Sequence, residues 1–185
     1  CEIETRITLV TIKKIASIAS HLGFEILVRP YPSLPISEYD ELKSIKNVTL
    51  YIPKDAAYED RYGDGRELIL FSSNEERHEY LAQCVLFLST GTSFTIEAAI
   101  DNLPIIQIYL DTEFRKESFE KDLFGRVEIS DHILKYFNNN LDLINSYENL
   151  QLALNSFRNS EAYAIELQNG NKKLLIELGF NNIGL

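Results

Sequence analysis

Hydrophobic residues at helical spacing open the chain. Ile12, Ile15, Ile18 and Leu22 lie three or four positions apart, so an α-helix places them on one face. Gly23 comes next, and glycine commonly ends helices because it accepts a left-handed backbone. This pattern predicts an amphipathic helix that ends just before Gly23.

Short apolar runs further along the chain predict strands. They lie at 24–28, 48–52, 68–71, 85–88 and 105–110. The run at 85–88, Val-Leu-Phe-Leu, contains no polar residue. Such a run is typical of a strand inside a parallel sheet that helices cover on both faces.

Helical patterns separate these runs. Ser73 or Asn74, followed by two glutamates, is a typical helix start, because the side chain caps the first turn and acidic groups favour its positive end. The acidic segment 54–67 is expected to be an exposed loop. Further helices are expected at 40–45, 94–100, 141–157 and 162–178, and in the chain beyond Asp111.

Strands that alternate with helices are typical of βαβ units and a parallel sheet. We therefore expect an α/β fold, a single Rossmann-like three-layer domain over residues 1–185 with a helical C-terminal third. The chain contains no methionine and begins at Cys1. We therefore expect it to be a fragment of a longer chain, or a chain from which residues have been lost.

The net charge and the number of cysteines exclude several classes of function. The 18 basic and 28 acidic residues give a net charge of −10, which argues against a nucleic-acid partner. Cys1 and Cys84 are too few for a disulfide framework or a multi-cysteine zinc site. Neither a membrane span nor a signal peptide is recognisable. We expect a soluble cytoplasmic protein, with a peripheral position at the inner face of the membrane as an alternative.

The strongest candidate for ligand binding follows the run at 85–88. In parallel sheets, ligands bind beyond the carboxyl ends of the strands. The next residues are Ser89, Thr90, Gly91, Thr92 and Ser93. Gly91 permits a tight turn, and the hydroxyls and the first N–H groups of the following helix can bind an anion. The alternative is a well-capped connection without a ligand, because Ser and Thr are common caps.

Glu97 interrupts an otherwise apolar and small-residue helix. It lies four residues after Ser93, one position too far for a capping box, but on the same helix face as Ser93. A carboxylate there suits the two hydroxyls of a ribose. The alternative is a glutamate on the solvent side of the helix.

Arg29 follows the run at 24–28 directly and precedes Pro30 and Pro32. At the ligand side of a sheet, its guanidinium would grip a phosphate or a carboxylate. The alternative is a surface ion pair with one of many acidic neighbours. No P-loop, dinucleotide fingerprint or metal-ligand spacing occurs in the sequence, so we expect no resident metal or cofactor.

Two segments resemble a known family. Residues 26–32, Ile-Leu-Val-Arg-Pro-Tyr-Pro, and residues 86–99 followed by Leu-Pro-Ile-Ile at 103–106 resemble conserved stretches of GT-B-fold glycosyltransferases of bacterial surface-polysaccharide synthesis. In that family the Ser/Thr-rich loop meets the donor diphosphate, and the glutamate on the next helix meets the ribose. The resemblance implies these roles for 89–93 and for Glu97.

The resemblance spans residues 24–110, the core of what would be the C-terminal, donor-binding domain. It therefore implies that the chain is a fragment of a larger two-domain enzyme. Tyr31 stands where the family usually has a histidine, and Asn102 where it commonly has a glycine. The N-terminal acceptor domain, which usually supplies the general base, is not recognisable, so no catalytic residue is assigned.

The resemblance implies binding of a nucleotide-diphosphate sugar and transfer of its sugar to a glycan or lipid-linked acceptor, in capsule or cell-surface glycan synthesis. A sugar-nucleotide 2-epimerase and a polyol-phosphate transferase of the same fold are the enzyme alternatives. The remaining alternative is a non-catalytic Rossmann-like binding domain.

Overall fold

A computed structural model describes residues 2–30, 35–52, 57–59, 68–70, 74–89, 94–108, 110 and 141–180. The chain divides into two compact units, Cys1–Tyr80 and Leu81–Leu185. The expectation of one domain over residues 1–185 stays a prediction.

Unit 1 combines helices with two small sheets. Strands β1 and β2 are parallel, with Ile26 opposite Val48, and β3 and β4 are antiparallel, with Ala57 opposite Leu70. In chain order its elements are α1 (Glu2–His21), β1 (Ile26–Val28), a 3-10 helix (Ile36–Ser44), β2 (Val48–Leu50), β3 (Ala57–Glu59), β4 (Leu68–Leu70) and α2 (Asn74–Leu81), whose last residue is the first of unit 2.

The core of unit 1 joins α1 to the β1–β2 sheet. A buried amide fixes the loop before β2, because Asn47 Nδ2 donates to the carbonyl oxygens of Ala16 at 2.8 Å and Phe24 at 3.3 Å. The buried apolar cluster consists of Leu9, Ala16, Val28, Tyr39, Leu42 and Val48.

Unit 2 contains a three-stranded parallel sheet in the order β5-β6-β7. The central strand, β6, is buried at every position, and α3 and α5 pack against it and against each other. The elements are β5 (Phe87–Ser89), α3 (Phe94–Ile100), β6 (Ile105–Ile108), β7 (Asp142–Ile144), α4 (Tyr147–Asn159) and α5 (Glu161–Glu177).

Three helices end with the same backbone motif. After α1, α3 and α5 the chain passes through a left-handed residue, Gly23 (φ 73°), Asn102 (φ 54°) or Gly179 (φ 89°). In each case two crossed N–H···O bonds close the last turn; after α3 they run from Leu103 to Ala98 and from Asn102 to Ala99. This pairing satisfies carbonyl groups that the helix end would otherwise leave without partners.

The α/β class and most predicted elements are confirmed, including the helix that ends before Gly23. The parallel strands form two small sheets rather than one. The loop expected at 54–67 is wrong at 57–59, where β3 pairs with β4.

Two element boundaries in unit 2 differ from the pattern. Strand β5 begins at Phe87 rather than Val85, which is 67% exposed. Residues 142–144, expected to be helical, form β7 on the edge of β6. Pairing with the buried central strand β6 determines both boundaries. Local strand and helix propensities do not include the stabilisation that this pairing provides. Among the described residues, no helix is both long and apolar enough to cross a membrane.

Candidate functional site

Ser89 ends β5 and holds the start of α3. Its side chain is 1% exposed, and its hydroxyl hydrogen-bonds the hydroxyl of Thr95, which is fully buried in the first turn of α3. The rings of Phe87 and Phe94 add an edge-to-face contact at 5.5 Å between the same two elements. The strand end and the helix start are therefore braced against each other.

The remaining loop residues of the predicted site, Thr90, Gly91, Thr92 and Ser93, lie outside the described residues. Their predicted contact with a diphosphate stays a prediction. Ser89, by contrast, directs its hydroxyl to Thr95, so the structure gives it a bracing role inside unit 2.

Glu97 lies on α3 with an intermediate exposure. Its neighbours Thr95, Ala98 and Ala99 are buried in unit 2, so its side chain is on the boundary between the packed face of the helix and solvent. Its predicted contact with a ribose stays a prediction.

Gln107 is not among the candidate residues that the sequence pattern indicates. It is fully buried on the central strand β6, directly opposite Ser89 in β5. Neither polar atom of its side-chain amide has a hydrogen-bond partner in the described part of the chain. A lone polar residue in Ile105-Ile106-Gln107-Ile108 was the available signal.

Two amides of α5 hold the turn between α3 and β6. Gln168 Nε2 donates to the carbonyl oxygen of Asn102 at 2.9 Å, and Asn171 Nδ2 donates to that of Leu103. Gln168 and Asn171 are three residues apart, and therefore share one face of the helix. These two bonds join α5 to the turn that follows α3.

Arg29 follows β1 in unit 1 and forms an ion pair with Glu76 of α2. Its Nε lies 3.5 Å from Oε1 and its Nη2 lies 3.2 Å from Oε2. The two side chains are only 13% and 10% exposed. Of the two readings of Arg29, the ion pair is the one present, and it is largely buried rather than at the surface.

Two tyrosines pack beside this ion pair. The Tyr51 hydroxyl donates to the carbonyl oxygen of Glu76 at 3.4 Å, and the Tyr80 hydroxyl donates to that of Leu27 at 3.0 Å. Burial raises the pKa of Tyr51, and the carboxylates of Glu76 and Glu79 raise it further, whereas the Arg29 guanidinium opposes the shift. Tyr51 is therefore held in its neutral form.

The two sequence-predicted binding segments belong to different sheets. Arg29 follows β1, which pairs with β2, whereas Ser89 ends β5, which pairs with β6. A single Rossmann-like domain predicts that one parallel sheet carries both segments, and this prediction is wrong for the described strands.

The described residues contain no group of three or more His, Cys, Asp or Glu side chains that could hold a metal ion. Burial raises the pKa of the Cys84 thiol, which lowers the fraction of the reactive thiolate at neutral pH.

Comparison of the chain with models of protein families, with curated proteins and with solved structures found no match. A function therefore has to be inferred from the residues and their contacts.

Proposed function

We propose that unit 2 binds the nucleotide part of a nucleotide-diphosphate sugar, as the donor-binding half of a GT-B-type glycosyltransferase in surface-polysaccharide synthesis. The observation that carries this proposal is the β5–α3–β6 unit. Its two strands are parallel neighbours, and a Ser/Thr-rich connection leaves the carboxyl end of β5. Open α/β sheets bind their ligands beyond these strand ends.

The left-handed turn after α3 supports the resemblance that underlies the proposal. Asn102 replaces the glycine common in the family, and its φ is 54°. Asparagine is the residue that most often substitutes for glycine in this conformation. The departure in sequence therefore preserves the backbone geometry that a glycine would favour.

The proposal includes the finer architecture, a Rossmann-like three-layer domain. In this arrangement α3 and α5, which pack together against the central strand β6, form one of the two helical layers. Within it, the hydroxyls and N–H groups of 90–93 meet the diphosphate, and Glu97 accepts hydrogen bonds from the ribose. Fixed donors that stabilise the departing diphosphate would provide most of the catalysis. The acceptor and the general base belong to a separate domain in this proposal.

One observation favours a second candidate, a nucleotide-binding domain without catalysis. Arg29, the basic residue expected to assist the leaving diphosphate, already has the Glu76 carboxylate as its partner. A cation neutralised in this way contributes little further stabilisation to an anionic leaving group.

Thermal melting of the whole chain tests the binding step that both candidates share. A ligand that binds only the folded state raises the melting temperature, so UDP, GDP or CDP should raise it at millimolar concentration, with inorganic pyrophosphate as the control for general anion binding. If none of the three does so, the proposal fails. Release of the nucleoside diphosphate from a nucleotide sugar in the presence of acceptor glycans then separates the transferase from the binding domain.

A further inference from the structure

The side-chain amide of Gln107 is a polar group buried in an apolar part of unit 2. It is fully buried on β6, between Ile106 and Ile108. Neither the amide nitrogen nor the amide oxygen has a partner among the residues that the structure describes. Burying an amide without hydrogen bonds destabilises a fold, so stability does not explain its presence.

Two side-chain amides of α5, the half-buried Gln168 and the buried Asn171, each donate a hydrogen bond, although the oxygen of Asn171 has no partner among the described residues. Gln168 donates to the carbonyl oxygen of Asn102, and Asn171 donates to that of Leu103, so each connects α5 to the turn after α3. Gln107 has no comparable bond within the described chain. Buried polar groups without partners are uncommon in folded proteins, and each calls for an explanation such as a ligand.

The position of Gln107 points to the proposed donor site. Gln107 is opposite Ser89 in the parallel ladder, so the two side chains project from the same face of the sheet. The hydroxyl of Ser89 on that face bonds Thr95 of α3. Gln107 is also the residue before the last of β6, at the carboxyl end of the strand, where ligands bind in parallel sheets.

We propose that Gln107 is a ligand-contact residue of this site, and this inference rests on the proposed function. Its amide presents a donor and an acceptor in one plane. It therefore recognises a neutral group of the nucleotide sugar that also offers both, either a sugar hydroxyl or the edge of the base. Gln107 is fully buried, so this contact requires the carboxyl end of β6 to become accessible on binding.

Replacement of Gln107 by methionine tests this assignment, because methionine has a similar length without the amide. Gln168→Met is the matched control, since Gln168 has a hydrogen-bond partner. We expect Gln107→Met to melt at the same temperature as the unchanged chain or higher, and Gln168→Met to melt lower. We expect Gln107→Met to weaken nucleotide-sugar binding about tenfold, the effect of losing two hydrogen bonds, and Gln168→Met to leave it unchanged.

Binding of a nucleoside diphosphate and of its sugar derivative distinguishes a contact with the base from a contact with the transferred sugar. Weaker binding of both the nucleoside diphosphate and its sugar derivative places the contact on the base, whereas weaker binding of the sugar derivative alone places it on the transferred sugar. Unchanged affinity of Gln107→Met for both ligands overturns the inference while the proposed function stands. A lower melting temperature or a failure to fold also overturns it, because the amide then has a structural role. An unchanged chain that binds neither ligand overturns the proposed function, and the Gln107 assignment with it.

Discussion

The hydroxyl groups of Ser89 and Thr95 hydrogen-bond to each other inside unit 2, where both side chains are almost completely buried. One residue ends a strand and the other lies in the first turn of the next helix. The pair therefore joins residues on either side of 90–93, the segment predicted to contact a diphosphate. The predicted ligand contact of Ser89 itself stays a prediction.

This pair predicts a non-additive effect on stability. Ser89→Ala leaves the Thr95 hydroxyl buried without its partner, which costs about 1–3 kcal/mol. Adding Thr95→Val, which preserves the shape of the side chain, should recover most of the loss because no unpaired hydroxyl remains. Urea unfolding of the two single variants and the double variant measures this coupling. Additive losses would show that the two hydroxyls do not depend on each other.

The left-handed turn at Asn102 predicts opposite effects of glycine and alanine. Asn102→Gly should leave the free energy of unfolding unchanged or raise it, because glycine adopts φ 54° without strain. Asn102→Ala should lower the free energy of unfolding by about 1–2 kcal/mol, because the Cβ of alanine makes the left-handed conformation unfavourable.

Gly179→Ala is the control for Asn102→Ala. Gly179 has φ 89°, and an added Cβ would meet no atom within 4 Å, so this substitution measures the backbone cost alone. Equal stability of the glycine and alanine variants at position 102 would contradict the account of this turn.

Sequence patterns predict the elements that depend on local chemistry. Gly23 marks the end of α1 because its backbone conformation is a property of the residue itself. Strand β7 was missed because its three residues become a strand through pairing with β6, a partner that lies more than 30 residues away in the chain. Long-range pairing is absent from any local window of sequence.

In the candidate site, too, local sequence predicts some features, and long-range contacts determine the others. The pairing of Arg29 with Glu76 joins residues 47 positions apart, so the sequence indicates a charged partner without identifying it. Gln107 is different, because a single polar residue within an isoleucine run was visible. What the sequence does not contain is the register that brings Gln107 next to Ser89.

The Arg29–Glu76 pair predicts a large loss of stability when one charge is removed. Glu76→Gln leaves the guanidinium in a largely buried place without its compensating charge, and should cost about 3 kcal/mol. Glu41→Gln is the matched control, because Glu41 pairs with Lys13 at the surface, where such pairs contribute at most about 1 kcal/mol. Chemical unfolding measures both. Losses of equal size would mean that burial of the Arg29 pair has no energetic consequence.

Tyr51 predicts a loss of stability in alkaline solution. Its pKa in the folded chain lies above the ordinary value of 10.0, so the folded state holds the phenol proton more tightly than the unfolded state. This contribution is fully present below pH 10 and is lost as the pH rises through the folded-state pKa. Unfolding free energies measured from about pH 9 to 11 should fall less steeply in Tyr51→Phe. Equal slopes in the two proteins would contradict this expectation.

The most direct test of nucleotide binding by unit 2 is the affinity of the whole chain for nucleoside diphosphates, measured with Glu97→Ala and with Glu166→Ala, an exposed glutamate on α5. The account predicts that one of UDP, GDP and CDP binds. It predicts that Glu97→Ala lowers its affinity at least about tenfold without lowering the melting temperature, because a charge-assisted pair of hydrogen bonds to the ribose is worth about 1.5–3 kcal/mol. Glu166→Ala should bind like the unchanged chain. No binding of any of the three, or equal affinities of the two variants, would contradict the account.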